Sequence, residues 1–427
     1  MKKALAAALL LWSLSAAAVE EIRLWHGMSG AAGAQLDRVV AAFNASQRNY
    51  RVASYFQGPF DETLAREIRK RGRSAHAPQI VQAAEAASAE MLQSALARPL
   101  WQLMRDTGAV LQVAYLPAVA AAFADEEGRL LALPFNGATP VLYYNRAAFR
   151  RARLDPERPP RTWYEMPELL GALVDAGERC ALTGATQAWV LENMSARHNQ
   201  QFATAASSAA GARLAFNGRL TVRWISMLAS WHKAGYFTYA GRGEEAQARF
   251  AAGECAMLTA SSATYAELRQ RAGLDFGVAP LPYFDDFDEA PQNTLVGGSA
   301  LWVMATVTPA QARAAAAFFA FAARAEMQAD WHRQTGDVPL TLDGYELARQ
   351  RGYYLSEPGP EVAVRQLLAP PKEASHGMRL SALRRIRAII DEELETVWLG
   401  SKTPLEALNA AVARGNLLLE ATPAAVR

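Results

Sequence analysis

Cysteine is nearly absent, with two in 427 residues, too few for a disulfide scaffold or a Cys-rich zinc module. Cys180 and Cys255 have no metal-ligand spacing. In an oxidising compartment they form a pair, or they are two buried thiols, and their spacing does not choose. An excess of charge is missing too: 44 Lys and Arg stand against 42 Asp and Glu, a net +2. Without a polybasic or acidic field, nucleic acid and anionic membrane are poor partners. The 28 glycines and 21 prolines show no triplet period, which excludes collagen, and 51% hydrophobic residues exclude a disordered chain. No G-x-S-x-G elbow, phosphate-binding P-loop, G-x-G-x-x-G turn or H-E-x-x-H helix occurs, and the six histidines are scattered singly. The expectation is therefore no catalytic residue, no metal ligand and no cofactor.

What is present begins with an address. Lys2 and Lys3 precede an apolar run from Ala4 to Leu14, and Ala16-Ala17-Ala18 supplies a small-residue cleavage pattern. Residues 1–18 are thus predicted to be a secretory signal peptide, and the localisation is predicted to be periplasmic. Those residues hold two lysines and no acid, so the mature balance is 42 basic against 42 acidic. No later stretch reaches the ~20 apolar residues of a membrane span.

The rest alternates between two kinds of element. Glu21–His26, Tyr50–Phe56 and Gln79–Gln82 read as strands. Ala32–Asn44, with Leu36, Val39, Val40 and Phe43 on one face, and Glu62–Arg71 read as the helices between them. That order predicts an α/β fold with a mostly parallel sheet. Val141–Asn145 starts a second set of strands, Phe276–Pro282 and Leu295–Met304 are strands broken by Gly and Pro, and Pro309–Ala323 is a long apolar helix. The acidic run Asp391-Glu392-Glu393-Leu394-Glu395 reads as the solvated face of a helix. Trp25, Trp189, Trp302, Phe60, Tyr143 and Tyr144 lie near element ends, where aromatic rings suit a sugar or polyol; each alternatively fills core.

Ordered through the chain are Leu24-Trp25-His26-Gly27-Met28, Ala77-Pro78-Gln79-Ile80, Pro134-Phe135-Asn136, Thr139-Pro140-Val141-Leu142-Tyr143-Tyr144-Asn145, Thr259-Ala260-Ser261-Ser262, Ala290-Pro291-Gln292-Asn293, Gly297-Gly298-Ser299 and Trp331-His332. Arg387 with the acidic run closes the series. In these stretches the chain resembles the glycerol-3-phosphate-binding proteins of bacterial ABC importers, within the extracellular solute-binding family. The resemblance implies a two-lobe, maltose-binding-protein-like fold with three hinge crossings, near Pro134–Thr139, Thr294–Ala300 and Gly336–Leu340. The first lobe would comprise 19–137 plus 297–337, the second 138–296 plus 338–427.

It also implies a ligand site. Glu85 would accept the ligand's glycerol hydroxyls, and Arg387 would hold its phosphate bidentately. Ser261 and the Gly298 backbone would add donors, and Trp189 would be a cleft tryptophan. Four positions depart from the family pattern: Phe60 for a tyrosine, Ala138 for a serine, Thr186 for a second tryptophan and Asp337 for a tyrosine. Asp337 places a negative charge beside a phosphate dianion, which is unfavourable. A glycerophosphodiester carries less negative charge, and a choline or ethanolamine head adds a cation that Asp337 can meet. As a plain turn residue, Asp337 would instead point to solvent. The implied function is capture of glycerol 3-phosphate or a glycerophosphodiester and delivery to membrane permease subunits, by a monomer. A neutral sugar or polyol ligand is the alternative, and a secreted phosphodiester hydrolase using Glu85 or Asp337 with a metal is the rival of another class.

Overall fold

The strand β1 (Glu20–His26) buries Ile22 and Leu24 on alternate positions, as its period-two pattern requires. Helix α1 (Gly30–Ser46) follows, and the expected stripe of Leu36, Val39, Val40 and Phe43 is the face it buries. The computed structural model describes residues 19–58, 66–68, 70, 74, 76–93, 95–204 and 211–421. The expected signal peptide, most of the Glu62–Arg71 helix, and Phe60 lie outside them.

After β2 (Tyr50–Phe56) and β3 (Ile80–Ala84), a 3-10 turn at Glu85–Ala87 leads into α2 (Ser88–Gln93). Then come β4 (Ala97–Arg98) and β5 (Leu133–Ala138). The chain leaves for a second sheet built from β6 (Pro140–Asn145), β7 (Leu182–Gly184), β8 (Phe237–Thr238), β9 (Met257–Ser261) and β10 (Phe276–Pro280). Between β7 and β8 lies α3 (Gln187–Arg197). The chain returns to the first sheet as β11 (Gly297–Met304). Strand order is β2-β1-β3-β11-β4 in the first sheet, with β5 also on β11, and β8-β7-β9-β6-β10 in the second. The pairs β1/β2, β1/β3, β7/β8 and β7/β9 are parallel, while β11 and β6 run antiparallel to every neighbour. The expected parallel core is there, and each sheet also takes an antiparallel strand that crossed over from the other half of the chain.

Helices α4 (Pro309–Ala322) and α5 (Ala325–Thr335) belong to the first sheet, where Phe318, Phe319 and Trp331 pack with Leu24, Leu36 and Phe135. Helices α8 (Leu383–Trp398) and α9 (Pro404–Ala421) pack on each other and join α3 in the second core. Among the aromatics at element ends, Trp25, Trp302, Tyr143 and Tyr144 fill core, each at most 4% exposed.

The crossings meet at Gly137. A Cβ there would stand 2.7 Å from Leu340 and 2.9 Å from Val296, so only glycine lets the three segments touch. Val338 donates its backbone N–H to the Gly137 carbonyl at 2.7 Å. Thr139 and Thr294 join hydroxyls at 2.6 Å. Beyond Leu340, however, α6 (Leu342–Gln350) packs on α5, and only α7 (Gly359–Leu367) packs on β10. We propose lobes of 19–137 plus 297–337 and 138–296 plus 338–421, with α6 reaching back across the third crossing to α5.

Cys180 and Cys255 are bonded, and they stand just before the parallel neighbours β7 and β9. Of the two readings left open by their spacing, the paired one holds.

Candidate functional site

The ends of the two sheets face each other across a cavity of about 390 Å³. From the first lobe it is lined by Glu85, Asn136, Gly297, Gly298 and Asp337, and at the first crossing by Ala138. Thr186, Ala188, Trp189, Arg242, Ser261, Ala263, Arg387 and Asp391 line it from the second. Seven of the eight residues expected at a site, from positions 85 to 387, thus converge on one cleft, and the eighth, Phe60, is the one outside the described residues. The size suits a small ligand.

Each is placed by its element. Glu85 opens the turn after β3. Ser261 ends β9, where its Oγ accepts from the Ala263 N–H at 3.2 Å, and Tyr143 fixes the turn with its hydroxyl 2.9 Å from the Ser261 carbonyl. Gly298 has φ +126°, and a Cβ on it would stand 2.3 Å from the Asn136 carbonyl oxygen. No other residue fits there. Beside it, a Cβ on Gly297 would stand 2.7 Å from the Trp189 ring, so this glycine makes the room in which that tryptophan lies.

Arg387 is not free to meet an anion with its whole guanidinium. Its Nε and Nη2 donate to Glu192 at 2.8 and 2.7 Å, and Nη1 lies 2.7 Å from Glu85. Glu192 stands on α3 one turn beyond Trp189, on the same face. Burial pushes its carboxyl up, against the pull of Arg387. Burial alone would lower Arg387, but the two glutamates hold it above the ordinary range. Glu85 is thus an ion-pair partner of Arg387 across the lobes, as well as a wall of the cavity.

That pair is one of a row. Gln93 donates to the Ser381 hydroxyl at 2.6 Å, Arg384 lies 3.5 Å from Glu90, and Arg379 donates to the Ala124 carbonyl. A polar seam therefore joins residues 85–93 and 124 of one lobe to 379–387 of the other.

Asp337 is 5% exposed, so its carboxylate does not turn out to solvent as a plain turn residue would. Trp331 donates its indole N–H to Oδ2 at 2.9 Å, and Asn136 hydrogen-bonds the same carboxylate. Asn136 in turn accepts from Ser299, which accepts from Gln82 at 2.7 Å, which accepts the Gly27 N–H at 2.8 Å. Burial raises the Asp337 carboxyl to about 6. Asp391 is likewise raised by burial to about 6; its Oδ1 accepts the Ala188 N–H at 3.0 Å, an acid at the start of α3.

The acidic run is therefore not merely a solvated face. Asp391 lines the cavity, and Glu393 is buried beneath Lys402 and Arg414. Alternation of run and stripe could not reveal this, because the partners come from elsewhere in the chain. Arg242, Asn136 and Glu192 escaped the sequence reading as site residues for the same reason. Among the described residues, no group of three His, Cys, Asp or Glu could hold a metal ion, and no helix is long and apolar enough to cross a membrane.

Two lobes, crossings that meet at a glycine, and a polar cleft between strand ends define a two-lobe solute-binding protein. The sequence pattern of the bacterial extracellular solute-binding proteins matches residues 38–349, and the chain belongs to that family. It is 41% identical over 416 residues to the sn-glycerol-3-phosphate-binding periplasmic protein UgpB of Yersinia pseudotuberculosis, covering 96% of this chain and 94% of that one. To the UgpB of Salmonella typhimurium it is 40% identical over 410 residues, covering 95% and 93%. In fold it is similar to UgpB from Mycobacterium tuberculosis in complex with glycerophosphocholine, with a TM-score of 0.75 at 22% identity over 94% of this chain and 98% of that one. It is also similar to maltose-bound MalE3 of T. maritima, with a TM-score of 0.72 at 16% identity over 94% and 100%.

Proposed function

We propose that the chain is the ligand-capturing component of an ABC importer, and that its preferred ligand is a glycerophosphodiester with a cationic head group, with sn-glycerol 3-phosphate in second place. The relatives named for glycerol 3-phosphate supply the class of ligand. The charge layout of the cleft carries the preference. The first lobe lines it with two carboxylates, Glu85 and Asp337, and no cation, whereas the second brings both arginines, Arg242 and Arg387, with Asp391. Three acids against two bases suit a zwitterion better than a dianion, because like charges in a partly desolvated cleft repel strongly. In this reading Asp337 meets the cationic head, Arg387 contributes to the phosphate, and Glu85, Ser261, Trp189 and the Gly298 backbone frame the glycerol. Ala138 and Phe60 stand where the family carries hydroxyls, which leaves fewer donors for a phosphate monoester. The protein acts by capture and closure in the periplasm, as a monomer that hands its ligand to permease subunits, and no bond is made or broken.

A thermal-shift panel of glycerophosphocholine, glycerophosphoethanolamine, glycerol 3-phosphate and maltose tests this. A ligand at 100-fold its Kd stabilises the fold by ~2.7 kcal/mol. The largest shift is expected with the two diesters and none with maltose. A shift with maltose alone would favour the neutral-sugar reading and overturn this one.

A further inference from the structure

We propose that Arg242 is a specificity-determining residue of the cleft, the cation that takes most of the charge of the ligand's phosphate; this rests on the reading of the ligand as a phosphate ester. Arg387 stands between two carboxylates, donating two N–H groups to Glu192 and bringing Nη1 to 2.7 Å from Glu85. The trio carries a net negative charge, so an incoming anion meets a surplus of its own sign there.

Arg242 is the other cation on the cavity wall. It lies on the loop after β8, with its Nε donating to Glu395 Oε1 at 2.9 Å and Nη2 donating to Oε2. The Tyr239 hydroxyl donates to the same carboxylate at 2.6 Å, which fixes the pair in place. Glu392 is 4.0 Å away, too far for a hydrogen bond, and is held by Arg414 at 2.5 Å. Arg242 is thus hydrogen-bonded to one carboxylate, with Glu392 and Asp391 farther off. Its side chain is 42% exposed, against 22% for Arg387.

The geometry along α8 separates the two. Arg387, Asp391 and Glu395 follow one another at four-residue spacing, on one helix face. Arg242, docked on Glu395, is therefore displaced by about two turns, ~12 Å of helix, from the Arg387 backbone. The lobe-2 wall reads positive, negative, positive, and the more exposed positive end belongs to Arg242. A phosphate held there leaves the Glu85 end of the cleft to hydroxyl groups, which a carboxylate accepts without repulsion.

Isothermal titration of glycerophosphocholine and glycerol 3-phosphate tests the assignment, using wild type, Arg242→Gln, Arg242→Lys and the double variant Arg242→Gln with Glu395→Gln. The double variant removes the stranded carboxylate and keeps an amide pair in its place. Arg242→Gln and the double variant are expected to weaken both ligands by about tenfold or more, Arg242→Lys by less. The salt dependence of Kd should flatten in the double variant while its melting temperature stays near wild type, a change that a purely structural role would not produce. Wild-type affinity and salt dependence in the double variant would overturn the proposal alone. A wild type that binds neither phosphate ester would overturn it together with the ligand reading.

Discussion

Asp337 receives hydrogen bonds from Trp331, Asn136 and the surrounding turn, yet burial still raises its carboxyl to about 6. A carboxyl with a folded-state value above its unfolded one binds its proton more tightly in the native state. Its stabilising contribution is therefore complete below about 3.8 and is lost as pH rises through about 6. Asp337→Asn keeps an acceptor for Trp331 and removes the charge. The variant is expected to be more stable than wild type at pH 7.5, by on the order of 1–3 kcal/mol. The gain should shrink as pH falls toward 4, followed by urea denaturation at a series of pH values. At pH 7.5 the same substitution should weaken glycerophosphocholine and strengthen glycerol 3-phosphate, since specificity is a difference of two affinities. Equal shifts for both ligands would return Asp337 to a structural role. The turn composition of Thr335-Gly336-Asp337-Val338-Pro339 gave no sign of this burial, because Trp331 covers Asp337 from the helix just before the turn and Asn136 from a strand far back in the chain.

At the scale of elements, the start of β11 divides two duties between neighbouring glycines. Gly298 has a left-handed φ and no space for a side chain against the Asn136 carbonyl, while the atoms nearest a Cβ at Gly297 are those of the Trp189 ring. Gly298→Ala is expected to lose about 2 kcal/mol or more of stability from backbone strain and contact with backbone atoms. Gly297→Ala should keep most of the stability and weaken ligand binding, because a ring can rotate away whereas a carbonyl cannot. Chemical denaturation and titration on the two variants separate these outcomes. A Gly298→Ala protein as stable as wild type would show that the strand relaxes around it. Much at this scale was legible: β2 falls on its expected residues, and α1, β6 and α4 lie within two residues of theirs, because their apolar periods are strong. What stayed hidden was how elements meet. The ordered motifs located Glu85, Trp189, Ser261, Gly298 and Arg387 in one cleft. They could not disclose that Arg387 is already paired to Glu85 and Glu192, which lie far from it in sequence.

For the whole molecule, three segments that touch at Gly137 form a waist between two cores, and a third apolar cluster draws Val81 and Val119 of one lobe together with Tyr143 and Leu258 of the other. Such a waist bends with little disturbance to either core. Saturating glycerophosphocholine is expected to lower the radius of gyration in solution scattering. An unchanged radius with bound ligand would count against hinge closure.

The row of contacts joining residues 85–93 to 379–387 is made of ion pairs and hydrogen bonds. When the lobes part, those groups pass to water. Ion pairs near a surface are screened over a Debye length of about 8 Å at 0.15 M ionic strength and about 30 Å at 0.01 M. The balance between open and closed forms is therefore set partly by the fluid that bathes the protein. In dilute surroundings the jaws hold more firmly, and in brine they loosen, before any solute has entered.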